Sequence, residues 1–133
     1  MLDTNILIYL LKNKPKSVVD KVNSLPVGTQ LCMSFFTYAE LLKGADKSSN
    51  KTKVLRSLDQ LTNQVPVIFN ISKKICKHYA FQFNVLKTAG TPIRANDLWI
   101  ACHALAENMT LVTHNTREFT RVKNLGLEDW VIL

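Results

Sequence analysis

Short apolar runs alternate with stretches of helical spacing along the whole chain, and that alternation predicts the fold. Met1-Leu2 reads as the end of a first strand, and Thr4 to Lys12 as a largely buried helix with Ile6, Leu7, Tyr9, Leu10 and Leu11. Pro15 opens a second helix, which Leu25-Pro26 and Gly28 end. Leu31-Cys32-Met33-Ser34 is a buried strand, and Phe35, Tyr38, Ala39 and Leu42 mark the apolar face of the helix after it. Lys53 to Thr62 forms a helix with Val54, Leu55, Leu58 and Leu61 inward, and Val65 to Phe69 a strand with an edge proline. Ser72 caps a long helix from Lys73 to Thr88, with Ile75, Tyr79, Phe83 and Leu86 on one side and Gly90 at its end. Asn96 caps a small-residue helix that starts at Asp97, Thr110 to Thr113 is a strand, and Trp130 to Ile132 a last one. Strands alternating with helices over 133 residues predict one α/β domain, residues 1–133, with a short parallel central sheet flanked by helices.

Composition narrows the class. With 47% apolar and 20% charged residues the chain reads as a soluble globular protein, and no apolar run approaches the ~18 residues that span a bilayer. Asp3 and Asn5 are wrong for a signal peptide. Cys32, Cys76 and Cys102 lack Cys-x-x-Cys spacing and lie in apolar contexts, which predicts buried, reduced thiols in a cytoplasmic protein. Seventeen Lys and Arg against ten Asp and Glu give a net charge of +7, a balance that suits a polyanionic partner. Scattered lysines that merely keep the protein soluble would give the same sum.

The acids carry the chemistry. Asp3 follows the first strand, Glu40 lies on the helix after the second, Asp97 heads its own helix, and Asn115 and Glu118 follow the strand at 111–113. Ligand sites of parallel sheets form beyond the carboxyl ends of the strands, so these groups can share one end of the sheet. Crowded carboxylates repel one another unless a cation neutralises them, and hard oxygen donors without His or Cys spacing favour Mg²⁺ or Mn²⁺. Such ions commonly serve phosphodiester cleavage. The competing reading of Asp3 and Asp97 is helix capping; that of Glu40 is a solvated partner of Lys43 or Lys47, and that of Glu118 a surface charge. Thr4 and Asn5 either orient Asp3 or cap the first helix. His78, His103 and His114 lack ligand spacing; His103 reads as a packing or hydrogen-bonding residue and His114 as a loop histidine. Trp99 and Trp130 read as core or interface anchors.

Four pieces in order, spanning nearly the whole chain, carry a resemblance: Met1-Leu2-Asp3-Thr4-Asn5; Ser34 to Gly44 with Thr37-Tyr38-Ala39-Glu40; Thr91 to Ala106 with Asn96-Asp97; and Leu111-Val112-Thr113-His114-Asn115-Thr116-Arg117-Glu118-Phe119. With them the chain resembles the PIN-domain ribonucleases and, among these, the VapC toxins of bacterial toxin–antitoxin pairs. The resemblance implies a PIN-domain sandwich and an Mg²⁺-dependent endoribonuclease, with Mn²⁺ as an alternative, whose acids are Asp3, Glu40, Asp97 and Glu118. It also implies an RNA substrate with tRNA foremost, a VapB-type antitoxin, a homodimer and cytoplasmic action. The anticodon loop of initiator tRNA is one target of relatives. At the fourth acid many PIN domains have Asp where this chain has Asn115, which makes Glu118 the choice here. Arg94 stands where relatives usually have Gly, and would be strained if that position needed a positive φ. The first strand looks truncated, which points to a natural start a few residues upstream. A basic nucleic-acid-binding module without catalysis and a metal-dependent phosphatase for small esters are the competing functions.

Overall fold

The computed structural model describes residues 1–132. The elements run α1 (Thr4–Lys12), α2 (Lys16–Ser24), β1 (Met33–Ser34), α3 (Phe35–Asp46), α4 (Lys51–Gln64), β2 (Val67–Ile68), α5 (Lys73–Thr88), α6 (Ala95–Ala106), β3 (Leu111–Val112), α7 (Thr116–Phe119) and β4 (Leu127–Glu128). β1 pairs with β2 and β3 with β4, both in parallel. The N-terminal residues join the two pairs. Val112 N–H donates to Met1 O and Asp3 N–H to Val112 O, while Leu2 N–H donates to Cys32 O. The spatial order is therefore β4, β3, residues 1–3, β1, β2.

This sheet is buried on both faces, as a parallel sheet between helices must be. Side chains of consecutive strand residues point to opposite faces. Leu2, Met33 and Val112 accordingly enter the core made with α1, α2 and α4. Their neighbours Met1, Cys32 and Leu111 enter a second core with Ile100, Ala101, Ala104 and Phe119. A third cluster, Ile75, Leu86, Leu98 and Cys102, packs α5 on α6. Ala101 and Ala104 are fully buried, and their small side chains let α6 lie close to the sheet.

Several predicted elements are corrected. The first strand is reduced to one bridge, Leu2 to Val112, and the other strands are two residues each. No strand forms at Trp130–Ile132. β4 instead lies at Leu127–Glu128, where Thr113 N–H reaches Glu128 O, and the ladder stops because Val131 N–H turns to the Asp129 side chain at 2.9 Å. Trp130 is still a core residue, 6% exposed. On α3 the buried stripe is Thr37, Leu41 and Ala45, and Leu42 is exposed, so the predicted Phe35–Tyr38–Leu42 face is only partly covered. On α5 Phe83 is exposed, and the next residue back takes its place. Gln82, 1% exposed, holds both backbone groups of Lys123, donating to its carbonyl at 2.9 Å and accepting from its N–H at 3.0 Å. Pro15 sits at the cap of α2 rather than inside it, and Ser72 makes no side-chain capping bond. Cys32 and Cys102 are buried as expected, whereas Cys76 lies on the solvent side of α5. Gly90 ends α5 with φ of 71°, the left-handed geometry that favours glycine.

Candidate metal centre

One cleft of about 180 Å³ at the carboxyl end of the sheet is lined by Asp3, Thr4, Asn5, Glu40, Arg94, Asp97, Asn115, Glu118 and Phe119. All four predicted acids reach it, from the ends of four chain segments far apart in sequence.

Asp3 arrives straight from the central strand and is 6% exposed. It caps α1 as well, since its Oδ1 accepts from Ile6 N–H at 3.1 Å, so the capping reading and the cleft position hold together. Burial pushes its carboxyl up to about 6; bonds from the Thr113 side chain and from Ile6 N–H pull the other way, and the Asp97 charge adds to the rise. Asp97 is the third residue of α6. Burial raises its pKa, the Arg94 guanidinium lowers it, and Glu40 and Glu118 raise it again. The two shifts share a cause: negative charge is gathered in a place that water reaches poorly.

Two further contacts hold the remaining acids. Thr4 Oγ1 donates to Glu40 Oε1 at 3.2 Å, so Thr4 orients Glu40 rather than Asp3. Asn115 Nδ2 donates to Glu118 Oε2 at 3.3 Å, which makes the amide a support for the acid three positions along the chain. Thr113 was not anticipated. Fully buried, it bonds Asp3 and its Oγ1 accepts from Asn115 N–H at 3.0 Å, so one hydroxyl ties the first acid to the loop of the fourth. Its place at the end of a buried strand, two residues before Asn115, was the available signal.

Asn96 does not cap α6. The helix begins at Ala95 with Arg94 as its cap residue, because Arg94 O already accepts from Leu98 N–H at 3.0 Å. Arg94 has φ of −59°, an ordinary value, so the strain expected for a glycine-like position does not arise. Its Nε lies 3.4 Å from Asp97 Oδ2. His103 is outside the cleft, fully buried, with Nδ1 2.7 Å from Ser34 Oγ, and burial pushes its pKa down. It is the hydrogen-bonding residue that its position predicted. His114 pairs with Asp129 in the neighbouring loop.

The donor set is made of hard carboxylate and amide oxygens, which suits Mg²⁺ or Mn²⁺. Among the described residues no three acids converge tightly on one point.

Comparison with known proteins identifies the family. Residues 1–125 match the PIN domain. Ribonuclease VapC1 of Haemophilus influenzae strain R2866 is 50% identical over 130 residues, covering 98% of this chain and 96% of that one. The tRNA(fMet)-specific endonuclease VapC of Shigella flexneri is 38% identical with the same coverage. The solved structure of VapBC-1 from nontypeable Haemophilus influenzae superposes with a TM-score of 0.89 at 50% identity, covering 98% of this chain and 96% of its counterpart. The chain belongs to the PIN-domain family and, within it, to the VapC ribonucleases. Among the described residues no helix is long and apolar enough to cross a membrane.

Proposed function

We propose that this protein is a divalent-metal-dependent endoribonuclease toxin whose site is the cleft of Asp3, Glu40, Asp97 and Glu118. One observation carries the reading: four acids from separate elements line one cleft, and two of them, Asp3 and Asp97, have raised pKa values through burial and mutual repulsion. An arrangement that disfavours its own charge is explained if a cation completes it. A bound Mg²⁺ or Mn²⁺ would polarise the scissile phosphate and lower the pKa of a nearby water. Asp3, at the sheet end, and Asp97, in the first turn of α6, would hold such a cation, with Glu40 and Glu118, steadied by Thr4 and Asn115, as the remaining acids beside it. Arg94, exposed at the rim, faces the phosphate backbone.

The +7 balance supports RNA over a small phosphate ester, and membership of the VapC family favours cleavage over passive binding. The name of the Shigella relative supports a tRNA substrate, with the initiator tRNA as the specific target. The VapBC complexes among similar structures support a VapB-type antitoxin as partner in the cytoplasm. The partly covered face of α3 with Leu42 and the neighbouring exposed Phe69 supports a homodimer. Sequencing RNA ends after brief expression, with and without Asp97→Asn, tests activity and target together. New ends confined to one tRNA loop and absent from the variant are expected; the same ends in both would overturn the assignment.

Arg94→Ala provides a finer check. The guanidinium holds Asp97 down, so its loss moves the acid limb of the kcat/KM profile to higher pH. The arginine side chain is 71% exposed, so solvent screening keeps that movement small.

A further inference from the structure

Beside the acid cleft lies a second hollow, of about 390 Å³, lined by Tyr9, Lys12, Lys14, Pro15, His114 and Val131. The two adjoin through the His114–Asn115 peptide, since Asn115 lines one and His114 the other. Their chemistry is opposite: the first gathers acids, while the second has a cationic rim over an apolar floor. We propose that this hollow is a ribonucleotide subsite that grips the RNA strand on one side of the scissile bond; the proposal rests on the ribonuclease reading above.

The local fold explains how the rim forms. α1 ends at Asn13, whose φ of 58° is left-handed, and Lys14 N–H then folds back to Tyr9 O at 3.1 Å. That turn brings Lys14 to the same hollow as Lys12 and Tyr9. The spacing suits a strand. Asn5 lines the cleft and Lys12 the hollow, and seven residues of α1 at 1.5 Å per residue separate them by about 10 Å. About three stacked nucleotides span that distance. Phosphates approaching four carboxylates are repelled, so cations immediately alongside are what the strand requires.

His114 makes the hollow selective for ribose. Its Nδ1 lies 3.0 Å from Asp129 Oδ2, which fixes the ring. With Nδ1–H donating to the carboxylate, Nε2 is the ring nitrogen left for a ligand. A ribose 2′-hydroxyl, both donor and acceptor, can meet it, and DNA lacks that group. Tyr9, Pro15 and Val131 supply the floor on which a sugar or base packs.

The test is binding of a fluorescent single-stranded oligoribonucleotide, and of DNA of the same sequence, in EDTA so that nothing is cut. Lys12→Ala with Lys14→Ala should weaken both at least about tenfold and reduce the salt slope by about 1.4, two contacts at roughly 0.7 each. His114→Ala should weaken RNA binding about fivefold and leave DNA binding unchanged, lowering the RNA-to-DNA ratio. Lys73→Ala with Lys74→Ala on α5 is the control and should change neither. Equal losses in the two lysine pairs, or an unchanged ratio in His114→Ala, overturn the subsite. If the wild type cuts RNA with Mg²⁺ while the variants bind as it does, only the subsite falls. If the wild type neither binds nor cuts RNA, the ribonuclease reading falls with it.

Discussion

Asp3→Asn is expected to yield a protein about 3 kcal/mol more stable than the wild type in metal-free buffer at pH 7 and devoid of RNA cleavage. The stability gain follows from linkage. Asp3 titrates at about 6 in the fold against 3.8 for a free aspartate carboxyl, and at 1.36 kcal/mol per pH unit the difference amounts to about 3 kcal/mol. A raised carboxyl favours the fold while it is protonated. Below pH 4 the group is neutral in both states, and the variant has no advantage. As pH rises through 6 the folded protein must carry a buried charge, and the advantage grows to its full value. Asparagine keeps the cap on Ile6 N–H, so the substitution removes charge without removing the bond's acceptor. Urea unfolding of both proteins at several pH values measures the gap. A gap that stays flat from pH 4 to 7 would mean that burial does not strain this carboxyl. Saturating Mn²⁺ should narrow it by stabilising the wild type, because a ligand that binds only the folded state adds to its stability.

EDTA should reduce cleavage by the wild type by at least about a thousandfold, and added Mg²⁺ or Mn²⁺ should restore it. Divalent ions contribute several kcal/mol to transition states of this kind, and each 1.36 kcal/mol is tenfold in rate. No histidine in the cleft is placed to substitute: His103 is buried against Ser34, and His114 pairs with Asp129. At subsaturating metal the restored rate should climb with pH, because Asp3, which titrates at about 6 in the metal-free protein, must lose its proton before a cation binds. Cleavage that persists in EDTA, measured on a labelled RNA after dialysis, would refute the metal-dependent reading.

The acids and helices were legible because their signals are local. Asp3, Asp97 and Glu118 follow a strand or open a helix and Glu40 lies in the second turn of the helix after β1, and the rule for parallel sheets brings such positions to one end. α5 was read from Lys73 to Thr88 with its true bounds, since sixteen residues of helical pattern end at a glycine with positive φ. What escaped was set by tertiary contact. Gln82 is polar yet buried because it satisfies the backbone of Lys123, forty-one residues away. The apolar stripe of α3 by spacing is not its buried stripe, because Thr37 and Ala45 face the core while Leu42 does not. Trp130 looked like strand because aromatic and β-branched residues prefer strands, but an aspartate one residue earlier captured the backbone. Arg94 could not be judged from its letter; its φ resolved the matter. Thr113 was hidden because its partner, Asp3, lies at the far end of the sequence.

The placement of residues 1–3 between β3 and β1 has a consequence for how the molecule comes into being. Residues 1–3 lie in the middle of the sheet, but their partner strand at Leu111–Val112 leaves the ribosome more than a hundred residues after them. Until then Asp3 has no Thr113 to hold it, and Glu118 does not exist. Long-range pairing of this kind is slow to form. The acid cleft is thus completed only after residue 118 has emerged, so a growing chain shorter than that lacks the full set of four acids.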